Sequence, residues 1–302
     1  MSAISHKKQI IFTVVLLLVG YIAGHHYFEL RTQEQIQQAI DQAELNTVVQ
    51  FERLSLSHIT MIPILHEVVI KNNKAQPLLL DTVTLYQTEY DPAQQIAELD
   101  VSYQLKTVPM TQAPEAFQRQ FGDARYGIEH YGGEGLVKIK MVEGELSLNV
   151  DTTMNEVMHI QLASQVHYEP AWLEQMQQAA ADNTLSPFLL LQSLDKVSLE
   201  RLKLHIDDLG ALTTLSQQSP LSEAARHEKV QQGVIQAGLV SANAPETKTL
   251  TDTLVAFLAN PQALTVTLSP PAPTTMLEMW QLLQYRQFYQ KMGMSLDHAA
   301  QS

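Results

Sequence analysis

Histidines and paired carboxylates are the side chains of this sequence best able to do chemistry. Eleven histidines are spread along 302 residues. His159 and His167 fall on one alternating run, in phase with each other and out of phase with its apolar positions. On a regular strand they stand roughly 27 Å apart, too far to share an ion. His130 and His205 have no partner at ligand spacing, and His25-His26 flank an apolar segment. A zinc site needs three or four convergent ligands, so no metal is expected. Asp207-Asp208 follows another alternating run. Paired acids can serve as general acid and base. A strand end that turns into a helix also calls for Asp at its cap, and capping is the expected role here. No serine occupies a nucleophile elbow. Gly132-Gly133-Glu134-Gly135 lacks the spacing of a phosphate-binding loop and reads as a flexible turn. Cysteine is absent, which removes disulfides, thiol catalysis and a thiolate zinc site. No catalytic, cofactor-binding or metal-binding residue is assigned, and an enzyme would need a site assembled from scattered residues.

The net charge of −13 disfavours nucleic-acid partners, because an acidic body is repelled by phosphates. Residues 1–28 hold Lys7 and Lys8 and no acid, so the remainder is more acidic still. The hydrophobic fraction of 45% is enough for a packed core. Gln9 to Phe28 is uncharged and long enough to span a bilayer as a helix, which needs roughly 20 residues. Tyr21, Tyr27 and Phe28 suit the far interface. A cleaved signal peptide is the rival reading, but it would place Ile22 or Tyr21 third from the cut, where a small residue belongs. The expected layout is a cytoplasmic tail over 1–8, a transmembrane anchor over 9–28, a Gln- and Glu-rich stalk helix over 29–46 and a translocated domain over 47–302. A sub-boundary could fall near 169.

From Val48 to Tyr168 apolar residues recur with period two, as at Leu99, Val101, Tyr103 and Leu105, at Val137, Ile139 and Met141, and from Met158 to Tyr168. That is the mark of strands with one buried face. Phe51–Ser57, Ile64–Lys71 and Leu79–Thr88 are further strand candidates. Glu143-Gly144 and Met154-Asn155-Glu156 are hairpin connections. Pro170 suits a first helical position. Strands resume at 197–206, with a phase shift that predicts a bulge near Glu200-Arg201, and at 264–268. Ser219-Pro220 reads as a helix start, and Asn260-Pro261 as a helix stop. The fold class is α+β: one transmembrane helix, then a long antiparallel meander with helices packed on it, more helical toward the C-terminus.

The final segment, Met276 to Met292, reads as one helix rich in methionine and aromatic residues. Met276, Met279, Trp280, Leu283, Phe288 and Tyr289 cover more than one stripe of it. Such a helix is buried on several sides or contacts an apolar ligand or partner. If it simply completes the core, Trp280→Ala costs roughly 3–5 kcal/mol.

The order of these features resembles uncharacterised envelope proteins of Gram-negative bacteria, which have a short cytoplasmic N-terminus, one anchor and a periplasmic body of long strands. Phe51-Glu52-Arg53-Leu54-Ser55-Leu56-Ser57 and Leu80-Asp81-Thr82-Val83-Thr84-Leu85 resemble the opening strands of AsmA-like proteins. The likeness covers roughly residues 1–106. It implies a curved sheet with an apolar groove, inner-membrane anchoring and a part in lipid transport or outer-membrane assembly. The C-terminal helices depart from that pattern, although Phe257 to Pro273 is similar to the ends of other anchored periplasmic proteins. Three functions remain open: a non-enzymatic scaffold or partner-binding module of the envelope, a carrier of lipids or other apolar ligands, and an enzyme. The expected partners are the membrane, through residues 9–28, and an envelope protein or a lipid.

The layout predicts that a reporter active only in the cytoplasm, fused after Ser302, stays silent, and that intact mass measurement finds residues 1–24 retained. Strong reporter activity would refute the topology.

Overall fold

The computed structural model describes residues 25–38, 40–41, 47–57, 60–72, 75–91, 96–123, 126–181, 194–218 and 222–299. Most of the expected anchor, the end of the stalk and Ser219-Pro220 lie outside them. Residues 25–38 are helical (α1). Among the described residues no helix is long and apolar enough to cross a membrane.

The chain is a mixed protein dominated by a twelve-stranded antiparallel sheet. It divides into two compact units. The smaller comprises residues 1–86 and 103–105. In it β3 (Pro63–Asn72) lies between β1 (Val49–Gln50) and β4 (Ala75–Asp91), and β2 (Arg53–Leu56) also pairs with β3. Among its described residues Leu54, Leu56, Leu65, Val68, Leu80 and Leu105 are buried.

The larger unit comprises residues 87–102 and 106–302. It holds most of β5 (Ile96–Pro109), then β6 (His130–Val142), β7 (Glu145–Met154), β8 (Met158–Tyr168), β9 (Val197–Asp208), β10 (Ala263–Leu268) and β12 (Ser295–Ala299), side by side in that order. The two-residue β11 (Thr274–Thr275) pairs with β9. The meander follows from the alternating pattern, because each apolar set finds its like across the ladder: Val137 faces Val150, Val150 faces Leu162, Leu162 faces Leu204 and Leu204 faces Val266. The expected bulge is present, where the β8–β9 register shifts and Glu200 becomes an extra residue. Strands β8 and β9 pair on either side of residue 169, and the division into units falls elsewhere.

Helices close the ends of the apolar sheet face. At one end α2 (Glu115–Phe121) and the first residue of α4 (Ala211–Gln218) bury Phe121, Ile128, Val157 and Ala211 against Met154 and Met158. The sequence pattern missed α2. Pro170 opens α3 (Pro170–Ala181) as expected. At the other end Leu199, Leu268, Phe288 and Met292 form a core with Val166 and Leu202. Beside it α5 (Glu223–Gln236) and α6 (Pro245–Ala259) pack with Leu296 through Val234 and Leu250, and Val240 of the turn between them joins the cluster. Ser222 accepts the N–H of Ala225 and caps α5.

Two expectations fail for local reasons. Gly132 to Gly135 is no turn but part of β6. A Cβ on Gly133 would lie 2.1 Å from the Thr153 carbonyl oxygen, so the glycine admits a close approach of β6 to β7. The final helix is two helices, α7 (Met276–Gln284) and α8 (Phe288–Lys291). Arg286 takes positive φ (59°), Gln287 donates to Leu282 O at 2.9 Å and Arg286 donates to Leu283 O at 3.2 Å. That pair of bonds is a Schellman end, which stops a helix whatever its apolar pattern. The strand β12 that follows was not expected either.

Helix α5 ends the same way, with Gly238 at φ 76° and Leu239 donating to Val234 O at 3.2 Å. A Cβ on Gly238 would stand 2.1 Å from Leu283 O of α7. Gly238→Ala is predicted to destabilise the protein by at least ~1 kcal/mol, through the left-handed backbone penalty and this clash. Thermal unfolding followed by circular dichroism checks it, and an unchanged midpoint would contradict it.

Candidate functional site

The polar face of the larger unit's sheet gathers the titratable groups. Alternation puts Asp151 of β7, His159 and Gln161 of β8, His205 and Asp207 of β9 and Thr265 of β10 on this side, because each is out of phase with the apolar set. The ladders bring them together: His159 faces Asp207, Gln161 faces both Asp151 and His205, and His205 faces Thr265.

His159 sits between two carboxylates. Its Nε2 lies 2.7 Å from Asp151 Oδ1 and its Nδ1 lies 3.1 Å from Asp207 Oδ2. Gln161 donates to Asp151 Oδ2 at 3.0 Å. The other oxygen of Asp207 lies 3.1 Å from His205 Nε2, and His205 Nδ1 lies 2.8 Å from Thr265 Oγ1. A neutral imidazole has one donor and one lone pair, and the lone pair would face a carboxylate. Only the imidazolium can donate to both. The pKa of His159 is accordingly raised above its ordinary 6.5, chiefly by the hydrogen bond to Asp151, with Asp207 adding to it and partial burial opposing. Asp151 is lowered from 3.8, chiefly by its bond to His159.

Thr265, His205 and Asp207 are spaced like a hydroxyl, a base and an orienting acid. The backbone around them differs from a hydrolytic centre. Strands β9 and β10 are paired on both sides, so their N–H groups serve the ladder and cannot turn toward an oxyanion. The arrangement is suited to holding protons and charge across four strands.

The other residues singled out from the sequence lie elsewhere. Asp208 points away from Asp207 and accepts the N–H groups of Leu212 and Thr213, both at 2.9 Å, capping α4. Among the described residues Asp207 caps no helix; its carboxylate lies against His159 and His205. His167 shares the face with His159 but has its own partner, with Nε2 2.9 Å from Glu200 Oε2. Met279 and Leu283 of α7 pack on the core that buries Phe288, and Tyr289 packs on the α5–α6 core. Met276 is half-buried. Trp280 is 55% exposed, with Leu277 at 37% and Tyr285 at 72%. Burial of Trp280 in the core, and the large truncation cost that went with it, are therefore overturned: a nine-residue helix turns its packed stripe inward and leaves Trp280 on the outer side.

Sequence reasoning missed the role of Asp151, Gln161 and Thr265. A signal existed in the hairpin at Asn155-Glu156. Once its centre is placed, every residue before it has a mirror partner after it, and Asp151 falls opposite Gln161 and beside His159.

Fold and site together define an α+β protein built on an antiparallel meander, with a histidine–carboxylate network on its polar face. Residues 142–298, about half of the chain, match the model of a family described as "Uncharacterized protein", and the chain belongs to that family. The match runs from the end of β6 into β12 and contains the whole network. No curated protein matches the chain.

The network predicts a pH-dependent share of stability. The raised His159 contributes fully below pH 6.5, and its share is lost as pH rises through the raised value. The lowered Asp151 contributes above 3.8, and its share is lost as pH falls through the depressed value. The unfolding temperature of the protein minus that of His159→Gln should be largest between those limits and shrink at alkaline pH. A difference that stays constant from about pH 5 to about pH 9 would refute the assignment.

Proposed function

We propose that this protein is a non-enzymatic module of the cell envelope, tethered to the inner membrane by residues 9–28, that docks a partner protein through the outer side of α7. One observation carries the reading. Leu277, Trp280 and Tyr285 expose large apolar surface on and just after a helix whose opposite side, Met279, Leu282 and Leu283, is packed into a core. Burying such side chains elsewhere in the protein would be favourable, at roughly 25 cal/mol per Å², so grouped exposure on an anchored helix marks a contact surface. Tryptophan and tyrosine are the residue types that most often anchor interfaces. The rest of the proposed site, Met276, Met279, Leu283, Phe288 and Tyr289, holds that surface rigid from beneath.

A second reading has its own support. Between the helix-covered ends of the apolar sheet face, Val137, Ile139, Leu148, Val150, Ile160, Leu162, Leu204 and Ile206 are half-buried. A partly covered apolar sheet suits a carrier of lipids or other apolar ligands, as the likeness to AsmA-like proteins implies.

Trp280→Ala separates these readings. The docking reading predicts a stability loss within about 1 kcal/mol, since the ring is mostly solvated, together with loss of the cross-linked partner seen with the parent protein. Lipid extracted from the purified protein in amounts that survive Trp280→Ala, with no partner cross-linked to either form, would favour the carrier.

A further inference from the structure

The polar sheet face carries a second feature that the docking surface does not use. Two rows of side chains cross it beside the histidine network. In one, Lys138 of β6 faces Asn149 of β7, Asn149 faces Ala163 of β8 and Ala163 faces Lys203 of β9. In the next, Lys140, Ser147, Gln165 and Arg201 follow in the same order. Neighbouring strands lie about 4.8 Å apart and alternate residues about 7 Å apart, so four cations mark the corners of a rectangle about 14 Å by 7 Å. The floor between them is short or neutral: Asn149, Ser147, Ala163 and Gln165. Long walls over a low floor leave a trough, seen as two adjoining depressions of about 430 and 300 Å³ that share Asn149, Ala163 and Lys203.

The charges are unevenly neutralised. On the β6 wall Lys138 Nζ lies 2.7 Å from Asp100 Oδ2 and Lys140 Nζ lies 3.9 Å from Glu98 Oε2. On the β9 wall Arg201 and Lys203 have no ion pair or hydrogen bond among the described residues. Lys203 has Thr267 of β10 on its far side, a neutral neighbour. The acids bordering the trough are engaged by histidines, Asp151 and Asp207 by His159 and Glu200 by His167. A chain of net charge −13 thus keeps a pair of uncommitted cations over a polar floor. Guanidinium and ammonium groups side by side match an oxyanion, while the amides and hydroxyl beneath match the hydroxyls of a polyol. Among the described residues no aromatic side chain lines the trough, so it offers no stacking surface for a flat ring.

We propose that this trough binds a phosphorylated polyol, with the phosphate on Arg201 and Lys203 and the hydroxyls over Asn149, Ser147 and Gln165. A free sugar phosphate and the headgroup of a glycerophospholipid share this chemistry. Calorimetric titration of the detergent-solubilised full chain at low salt distinguishes them, using glucose 6-phosphate, glycerophosphoglycerol, inorganic phosphate and glucose as probes. Binding of glucose 6-phosphate, of glycerophosphoglycerol or of both is expected, and the tighter of the two names the source. Inorganic phosphate should bind several-fold more weakly and glucose not at all. Both cations are solvent-facing, so Arg201→Ala and Lys203→Ala should fold normally and each weaken the better probe at least five-fold. Lys229→Ala, on α5, should leave it unchanged. Failure of both phosphorylated probes to bind would overturn the proposal. So would affinity retained in the double variant, or inorganic phosphate binding as tightly as the phosphorylated polyols. None of these results depends on the partner docked by α7.

Discussion

In the hairpin of β7 and β8, Met154 faces Met158 across a short turn in which Glu156 takes positive φ (62°). Everything on the larger unit's sheet takes its side from that pairing. A strand's side chains alternate, so a slip of one residue would turn Leu146, Leu148 and Val150 to water and drive Ser147, Asn149 and Asp151 into the core. The register passes strand by strand to β9, β10 and β12. The turn is held by its own core: Val157 is buried against Phe121, Ile128 and Ala211, and Leu209 donates to its carbonyl at 3.1 Å. Cross-strand pairs of like apolar residues then favour the register at each step.

The helical end of the unit obeys a different constraint, the disposal of carbonyls at helix ends. Helix α5 stops at a Schellman turn whose glycine meets Leu283 O of α7, and α7 stops at another built on Arg286. Tyr289 of α8 donates to Leu239 O, and Ser269 donates to Met292 O, both at 2.9 Å. Helix ends are thus tied to one another by backbone as well as by side chains. This fixes the orientation of α7, so the outward direction of Trp280 is a property of the backbone network rather than of a loose surface helix.

The two faces of one sheet divide the chemistry between them. On the polar face acids and bases are sorted: carboxylates close on His159 and His167 toward the borders, and cations stand over the small residues between. On the apolar face helices cover the ends. Sorting of this kind arises because the same alternation that buries one set of side chains lines up the other set in rows across neighbouring strands.

The sequence by itself determined the period-two strands, the antiparallel meander, the bulge at Glu200, the helix stop at Asn260 and the sides on which His159 and His167 stand. These are local: each needs only the spacing of apolar residues or the preference of one residue type within a few positions. Tertiary structure decided what lies between chain segments far apart. Asp151 and Asp207 meet His159 only because three strands are in register. Gly133 belongs to a strand rather than a turn because the Thr153 carbonyl approaches it. Trp280 faces out because the turn at Arg286 stops α7 and the helix rests on Phe288 and Met292, and a list of apolar residues cannot tell which side of a short helix a distant core will claim. The pairing partner of a residue is a long-range quantity, and spacing along one chain carries it only where a hairpin makes the two segments neighbours.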